Sequence, residues 1–389
     1  MTDHVCLSSL DWGYLWQGPQ EVMASLVRGG GRVLYVENTG IRRPRVSDWR
    51  RLVRRARDWG VRPAGTTAQG HPGVTVVSPL ALPFPWSPLA RRANRVLLAY
   101  RLPARAAALG LERPVVWSFL PTPLALDVMR AFHSTRSLSA YYCMQDFEQL
   151  TDSPAALRRA ETELLAKVDV VFSGGRLLQQ RLERLHPFVV QAPVTVAERF
   201  FAPPAGPPPG DLAGLPGPRI GYVGGFHRHF DLGLIERLIE LMPEATFVFV
   251  GPQVEQQASS LRRPNVHLLG RREHRELPGY IDGFDVCLIP YRLSQFTQTV
   301  WPTKLHEYLA RGKPVVATSL PEVTGLGYPP GLLRIADEAV GMAAAIRAAL
   351  ADPEGLAADR RAAAALHRSD VVIGRVSAAL DAARVRLGR

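Results

Sequence analysis

From Arg219 onward the chain repeats one pattern, a short apolar run followed by a segment of helical spacing. Apolar runs at Arg219–Val223, Thr246–Val250, Val266–Leu269, Asp285–Ile289 and Pro314–Thr318 alternate with helical patterns near Asp231–Met242, Val254–Leu261, Glu276–Asp282 and Pro302–Ala310. Strands joined by crossover helices pair in parallel, so the pattern predicts a doubly wound α/β sheet. The first forty residues have the same grammar. Apolar His4–Leu10 leads through a loop, Asp11–Gly18, to Pro19 at a helix start; Gly29-Gly30-Gly31 ends that helix before a second strand, Arg32–Glu37. Ser153 and Pro154 open a further helix with Leu157, Ala160 and Leu164 on one face, ahead of a strand Val168–Phe172. Between the two series lies Ala202–Pro218, dense in proline and glycine and nearly uncharged, which reads as a linker. Two domains are expected, 1–205 and 206–365, and a chain of 389 residues is long enough for both. The Ala-rich tail reads as helical. Two such halves place a cleft between them, and the carboxyl ends of their strands are the expected ligand sites.

Charge narrows the partners. Residues 1–205 carry 26 Lys/Arg against 16 Asp/Glu, and residues 206–389 carry 21 against 19. Within Arg42–Arg57 eight arginines face the single Asp48, a stripe suited to an anionic partner (a phospholipid surface, a polyprenyl-phosphate carrier or nucleic acid) or to a solvated helix face. No zinc spacing, basic zipper or RNP-like aromatic motif accompanies it, so nucleic acid is not expected as a partner. The three cysteines, Cys6, Cys143 and Cys287, sit in apolar runs and read as buried thiols of a reducing compartment. No apolar run is long enough to span a bilayer, and Met1-Thr2-Asp3-His4 lacks the basic start of a secretory signal. The expected location is cytoplasmic, with a peripheral position on the inner face of the membrane as the role for the stripe.

Two segments could carry chemistry. Strand Arg219–Val223 runs into Gly224-Gly225-Phe226-His227-Arg228, where glycines let the backbone approach a phosphate ahead of a helix N-terminus; a tight structural turn explains the same residues. In Pro302-Thr303-Lys304-Leu-His-Glu307, proline at the first helical position puts Thr303 and Lys304 in the first turn, where an anion is favoured. Only three of the 47 basic residues are lysines, Lys167, Lys304 and Lys313, so a retained lysine hints at a site wanting a compact charge. Glu307 shares a face with Lys304, and the two could bridge a diphosphate and a ribose or form a surface salt bridge.

Gly221-Tyr-Val-Gly224, Val266-His-Leu-Leu-Gly270 and Asp285-Val-Cys-Leu-Ile-Pro290, followed by Pro302-x-Lys304-x-x-Glu307-Tyr-Leu-Ala-x-Gly312-x-Pro-Val-Val, resemble the donor domain of GT-B glycosyltransferases. The likeness is to bacterial group-1/family-4-like enzymes of teichuronic-acid and exopolysaccharide assembly, and Asp11-Trp12, Trp16-Gln17 and Tyr141–Phe147 extend it to the first half. It implies two Rossmann-like doubly wound domains facing a cleft, with a C-terminal helix, 366–389, packing back on the first. It also implies a nucleotide diphosphate sugar as co-substrate, without a separate cofactor. Its phosphates would lie near Gly224, Gly225, Phe226, Arg228, Thr303 and Lys304, its ribose at Glu307, and its base near Gly270–Arg271 and Pro290–Tyr291. Eight positions before Glu307 stands Thr299, where many retaining relatives carry a second glutamate.

Transfer to a hydroxyl needs a base on the acceptor side. Asp146, after the run Leu138–Cys143, and Asp11, at the end of the first strand, are the candidates, and a loop N-cap is the alternative role for each. Trp12, Trp16 and Gln17 are candidates for an acceptor pocket. No D-x-D is present, so no metal site is expected, and nucleophile-elbow, P-loop, H-E-x-x-H and C-x-x-C templates are absent. A sugar-nucleotide epimerase of the same fold and a catalytically degenerate binding protein are the rival readings.

Overall fold

The computed structural model describes residues 2–13, 16–37, 65–79, 81–133, 137–252 and 260–388. The Arg42–Arg57 stripe and most of the helical pattern near Val254–Leu261 lie outside the described residues. The chain divides into two compact units, Met1–Val194 with Val372–Arg389, and Thr195–Val371. The stretch 202–218 therefore lies inside the second unit and not at its edge. Val196, Ala197 and Phe200, which precede it, are already buried in the second core.

The first unit holds strands β1 (His4–Leu7), β2 (Val33–Val36), β3 (Thr66–Ala68), β4 (His71–Val77), β5 (Val115–Ser118), β6 (Ser139–Cys143), β7 (Val170–Ser173) and β8 (Val189–Gln191). They form one sheet in the order β3-β4-β2-β1-β5-β6-β7-β8, parallel except for the β3–β4 pair. Its central strands are buried on both faces, which is why they read as unbroken apolar runs. The helix Ser369–Leu387 closes one face, burying Val372, Val376 and Leu380 beside Val22, Met23 and Tyr142.

The second unit holds β9 (Arg219–Val223), β10 (Thr246–Val250), β11 (Val266–Gly270), β12 (Val286–Ile289), β13 (Val315–Ala317) and β14 (Leu333–Ile335). All are parallel, in the order β11-β10-β9-β12-β13-β14. The helix Leu232–Leu241 begins at Asp231, whose side chain accepts the Leu234 N–H at 3.1 Å and so satisfies one of the free donors of the first turn. Val196 N–H donates to His367 O at 2.9 Å and Ser369 N–H to Val196 O at 3.1 Å, so the two segments next to the unit boundary run side by side.

Candidate functional site

The second sheet reverses its winding between β9 and β12, and a ligand is expected outside the carboxyl ends of strands at such a point. Glycine stands at three of these ends. Gly224 follows β9, Gly251 follows β10 and Gly270 ends β11; Gly224 N–H donates to Val250 O at 2.8 Å and Gly251 N–H to Gly270 O at 2.9 Å. A Cβ on Gly251 would lie 2.0 Å from the Gly224 carbonyl oxygen, and one on Gly224 would meet the Tyr222 hydroxyl at 2.7 Å and Lys304 Cε at 3.2 Å. The glycines thus let the two turns touch and bring backbone close to the lysine.

Lys304 reaches this edge from the helix Thr303–Ala310. Pro302 is the N-cap and not the first helical residue, so Thr303 and Lys304 take the first two positions. Tyr308 fastens that helix to β9, its hydroxyl accepting Val223 N–H at 2.8 Å. Lys304 Nζ donates to the Tyr291 hydroxyl and lies 4.9 Å from the centre of the Tyr291 ring and 5.3 Å from that of Tyr222. Its charge is held by the Tyr291 hydroxyl and lies near the Tyr222 ring, at a helix N-terminus where an anion is favoured.

Glu307 does not turn back to Lys304. Its Oε1 is 3.3 Å from His274 Nε2, with side-chain exposures of 11% and 18%. A carboxylate only accepts, so Nε2 carries the hydrogen. The His274 ring packs on Phe200 at 5.2 Å between centroids. The surface salt bridge weighed from the spacing is not the arrangement formed, because each partner is engaged elsewhere.

The other expected donor residues divide. Tyr291 is buried beside Lys304, its N–H donating to Thr318 Oγ1 at 3.1 Å, and Pro290 gives its carbonyl to Asp231 N–H at 2.8 Å. The Gly225 carbonyl accepts from the Tyr222 hydroxyl at 3.2 Å. Phe226 needs correcting as a ligand contact. Its ring is buried among Tyr222, Phe230 and Phe249, at 6.2, 4.7 and 5.4 Å, and anchors the glycine turn in the core. Arg228 is exposed and its Nε donates to His229 Nε2 at 3.1 Å; Arg271 is exposed beside Gly270. Four residues absent from the expected set stand here: Tyr222, Gly251, His274 and His227. Burial first, then the Lys304 ammonium, pushes His227 down to about 4, and its ring meets Tyr291 edge-on at 5.3 Å. Gly251 was findable as a strand-end glycine like Gly224; His274 carries no local signal.

In the first unit the expected residues form two groups. Asp146, after β6, caps the single turn Phe147–Leu150, its Oδ1 accepting Glu148 N–H at 3.0 Å, which is the loop role weighed for it. Asp11, after β1, accepts from Gln20 Nε2 through its backbone carbonyl at 3.2 Å. β5 separates these two strands. Trp12 and Trp16 meet edge to face at 5.5 Å; His71 stacks on Trp16 at 5.4 Å, and Tyr35 stands against Trp12 at 4.9 Å. Trp16 Nε1 donates to Glu21 at 2.7 Å, and exposed Gln17 is the N-cap of the helix Gly18–Arg28. Among the described residues no three His, Cys, Asp or Glu side chains converge as metal ligands.

Residues 217–352 match the family model described as glycosyl transferases group 1. Over 136 residues the chain is 36% identical to a Bacillus subtilis (strain 168) protein named for teichuronic acid biosynthesis as the glycosyltransferase TuaH, covering 34% of each; the chain thus spans about a third of the length of this relative. Among solved structures, sucrose-phosphate synthase from Thermosynechococcus elongatus is similar with a TM-score of 0.68 and 17% identity, over 98% of this chain and 100% of that one. Anabaena Alr3699/HepE in complex with UDP-glucose is similar at 0.68 and 14%, over 98% and 100%. The chain has the GT-B fold of these enzymes, and its residues 217–352 match the model of a group 1 glycosyl transferase domain.

Proposed function

We propose that the protein transfers a sugar from a nucleotide diphosphate sugar to a hydroxyl of a saccharide, lipid-linked or small-molecule acceptor. The observation that carries this is the Lys304 ammonium, held by Tyr291 and Tyr222 over the glycine turn at the winding reversal of the second sheet. In this reading the diphosphate lies against Gly224, Gly225 and the first turn at Thr303, with Lys304 as its main counter-charge and Arg228 beside it. Glu307, with Oε1 taken by His274, offers Oε2 to the ribose hydroxyls. Backbone at Gly270–Arg271 and Pro290–Tyr291 meets the base. A UDP-sugar donor class is supported by the Anabaena relative, whose complex holds UDP-glucose.

Charge developing on the leaving diphosphate is offset by Lys304 and the unpaired N–H groups of its helix, so the reaction proceeds without a divalent ion. The first unit supplies the acceptor side. Asp146 takes the hydroxyl proton through the carboxylate oxygen that does not cap Glu148, Asp11 is the second candidate, and Trp12, Trp16 and Gln17 line the acceptor. The enzyme works in the cytoplasm, peripherally on an anionic membrane. Among the described residues no helix is long and apolar enough to cross one. A panel of nucleotide diphosphate sugars, incubated with the full chain in excess EDTA, tests the proposal. One donor should release nucleotide diphosphate, faster once an acceptor is present. Failure of every donor to bind or turn over would contradict transfer, and loss rescued by magnesium or manganese would contradict metal independence alone.

A further inference from the structure

The helical segment after β4 is apolar on both of its sides. The helix Pro88–Asn94 passes without a break into a wider turn, Arg95–Ala99, in which Tyr100 N–H bonds to Arg95 O. On the inner side Ala90, Asn94, Leu98 and Ala99 are buried. The outer side carries Leu89, Arg92, Val96 and Tyr100, at steps of three, four and four residues. An α-helical turn takes about 3.6 residues and the wider turn more, so these four form one row. Leu89 is 82% exposed, Val96 56% and Tyr100 61%. Leu82 and Phe84 are exposed in the preceding loop, which is tied to the same segment through Leu82 N–H to Asn94 Oδ1 at 2.7 Å and Asn94 Nδ2 to Leu82 O at 3.0 Å.

A surface row of large apolar side chains has a partner when something makes its burial favourable, and charge selects which. From Val74 to Leu111 the chain has no Asp or Glu and carries Arg91, Arg92, Arg95, Arg101 and Arg105. Arg91 and Arg95 turn to buried Asp127, at 2.8 and 3.1 Å. Arg92 and Arg101 are exposed, one within the apolar row and one at its end. Apolar side chains interleaved with guanidinium groups, with no carboxylate among them, fit the boundary of an anionic bilayer. There the apolar groups enter the acyl region and the guanidinium groups meet lipid phosphates. A second copy laid on the same row would set arginine against arginine.

We infer that the face from Leu82 to Arg101 docks the protein on an anionic lipid surface. This rests on the reading that the enzyme works at a membrane and names the face that touches it, one separate from the Arg42–Arg57 stripe. Flotation of the full chain with phosphatidylcholine vesicles, alone or with about 30% phosphatidylglycerol, tests it. Anionic vesicles should bind about tenfold more tightly than neutral ones at low salt, an advantage lost near 1 M salt where the screening length is about 3 Å. The variant Leu89→Ser/Val96→Ser/Tyr100→Ser should lose about tenfold of the anionic binding, and Arg92→Gln/Arg101→Gln several-fold. Both should bind nucleotide diphosphate like the parent, which shows that they fold. A parent that binds neither vesicle overturns the membrane reading together with this face. Unchanged binding by both variants overturns the face alone and leaves the membrane reading standing. A dimer of the parent that the triple substitution dissociates would overturn it in favour of a second copy.

Discussion

The carboxyl edges of the two sheets are built from different materials. Among the described residues of the second unit the edge is largely backbone, three glycine strand ends with the Lys304 ammonium beside them, bonded to the Tyr291 hydroxyl. In the first unit it is side chains bonded to one another and to nearby backbone. Ser8 Oγ lies 2.5 Å from the Tyr35 hydroxyl, Ser118 Oγ donates to Leu120 O at 2.6 Å, Glu37 accepts from Trp12 N–H at 3.0 Å, and Asp146 caps its own turn. A backbone edge with a point charge suits what every nucleotide diphosphate sugar shares, the diphosphate. An edge of side chains differs wherever its residues differ, and that suits a choice among acceptors.

The largest effect that would break this contrast lies in the first unit. Asp146→Asn keeps a side-chain oxygen to cap Glu148 and removes the proton acceptor. Turnover should fall by roughly 10²–10⁴ with donor affinity unchanged. Near-normal turnover would move the base to Asp11. Next in size is a pair of glycines. A Cβ at Gly251 would press on the Gly224 carbonyl at 2.0 Å, whereas one at Gly13, in the first unit's loop, meets nothing within 4 Å. Gly251→Ala should cost about 1–3 kcal/mol of stability and weaken nucleotide diphosphate binding, while Gly13→Ala should stay within about 0.5 kcal/mol. Equal effects in denaturant melts would mean that the two edges are not built differently.

Smaller still is the support of Glu307. His274→Ala should weaken nucleoside binding by about 1 kcal/mol, the worth of one ordinary hydrogen bond, with turnover at saturation unchanged; His274→Gln, which keeps a donor, should restore it. A loss confined to turnover would show that His274 does not act through the ribose. The smallest test is a titration. Burial holds His4 in the first unit at about 3, and burial with Lys304 holds His227 at about 4, both below the ordinary histidine value near 6.5. Between those values and about 6.5 the unfolded chain binds more protons, so stability should rise with pH across that window and fall as the solution is acidified. A bound diphosphate offsets the Lys304 charge and should raise His227 while leaving His4 where it is. Affinity for the diphosphate should then strengthen as pH falls through that window. Imidazole resonances followed with and without nucleotide diphosphate check both signs, and equal movement of the two histidines would contradict the placement of the anion.

What the sequence disclosed follows the same division. Parallel strands buried on both faces declare themselves as apolar runs, so β9 and β10 were readable to the residue, and the place of Lys304 in a first helical turn was readable because a helix start is a local signal. The glycines of Gly221-Tyr-Val-Gly224 were legible as a motif but not in their separate roles. Gly221 makes room for the Phe284 ring, 2.1 Å from where its Cβ would be, and only Gly224 faces the lysine. Phe226 misled because sequence neighbours of a loop glycine can point into the core. His274 was invisible, since its partnership with Glu307 spans 33 residues and depends on how the loop after β11 meets the helix Thr303–Ala310. In the first unit the exposed row at Leu89, Val96 and Tyr100 looks in sequence like any half-buried helix. Only the burial of Ala90, Asn94 and Leu98 on the other side shows that these apolar residues face outward.

In the proposed donor site Lys304 meets the diphosphate and Glu307 the ribose. Calorimetry with nucleoside diphosphate and with nucleoside alone, on the parent, Lys304→Ala and Glu307→Ala, tests it most directly. Lys304→Ala should remove roughly 1.5–3 kcal/mol of diphosphate binding, the range of a charged hydrogen bond, and leave nucleoside binding nearly unchanged. Glu307→Ala should weaken both ligands alike, because each carries the ribose. Nucleoside binding that is lost with Lys304→Ala and retained with Glu307→Ala would contradict the account.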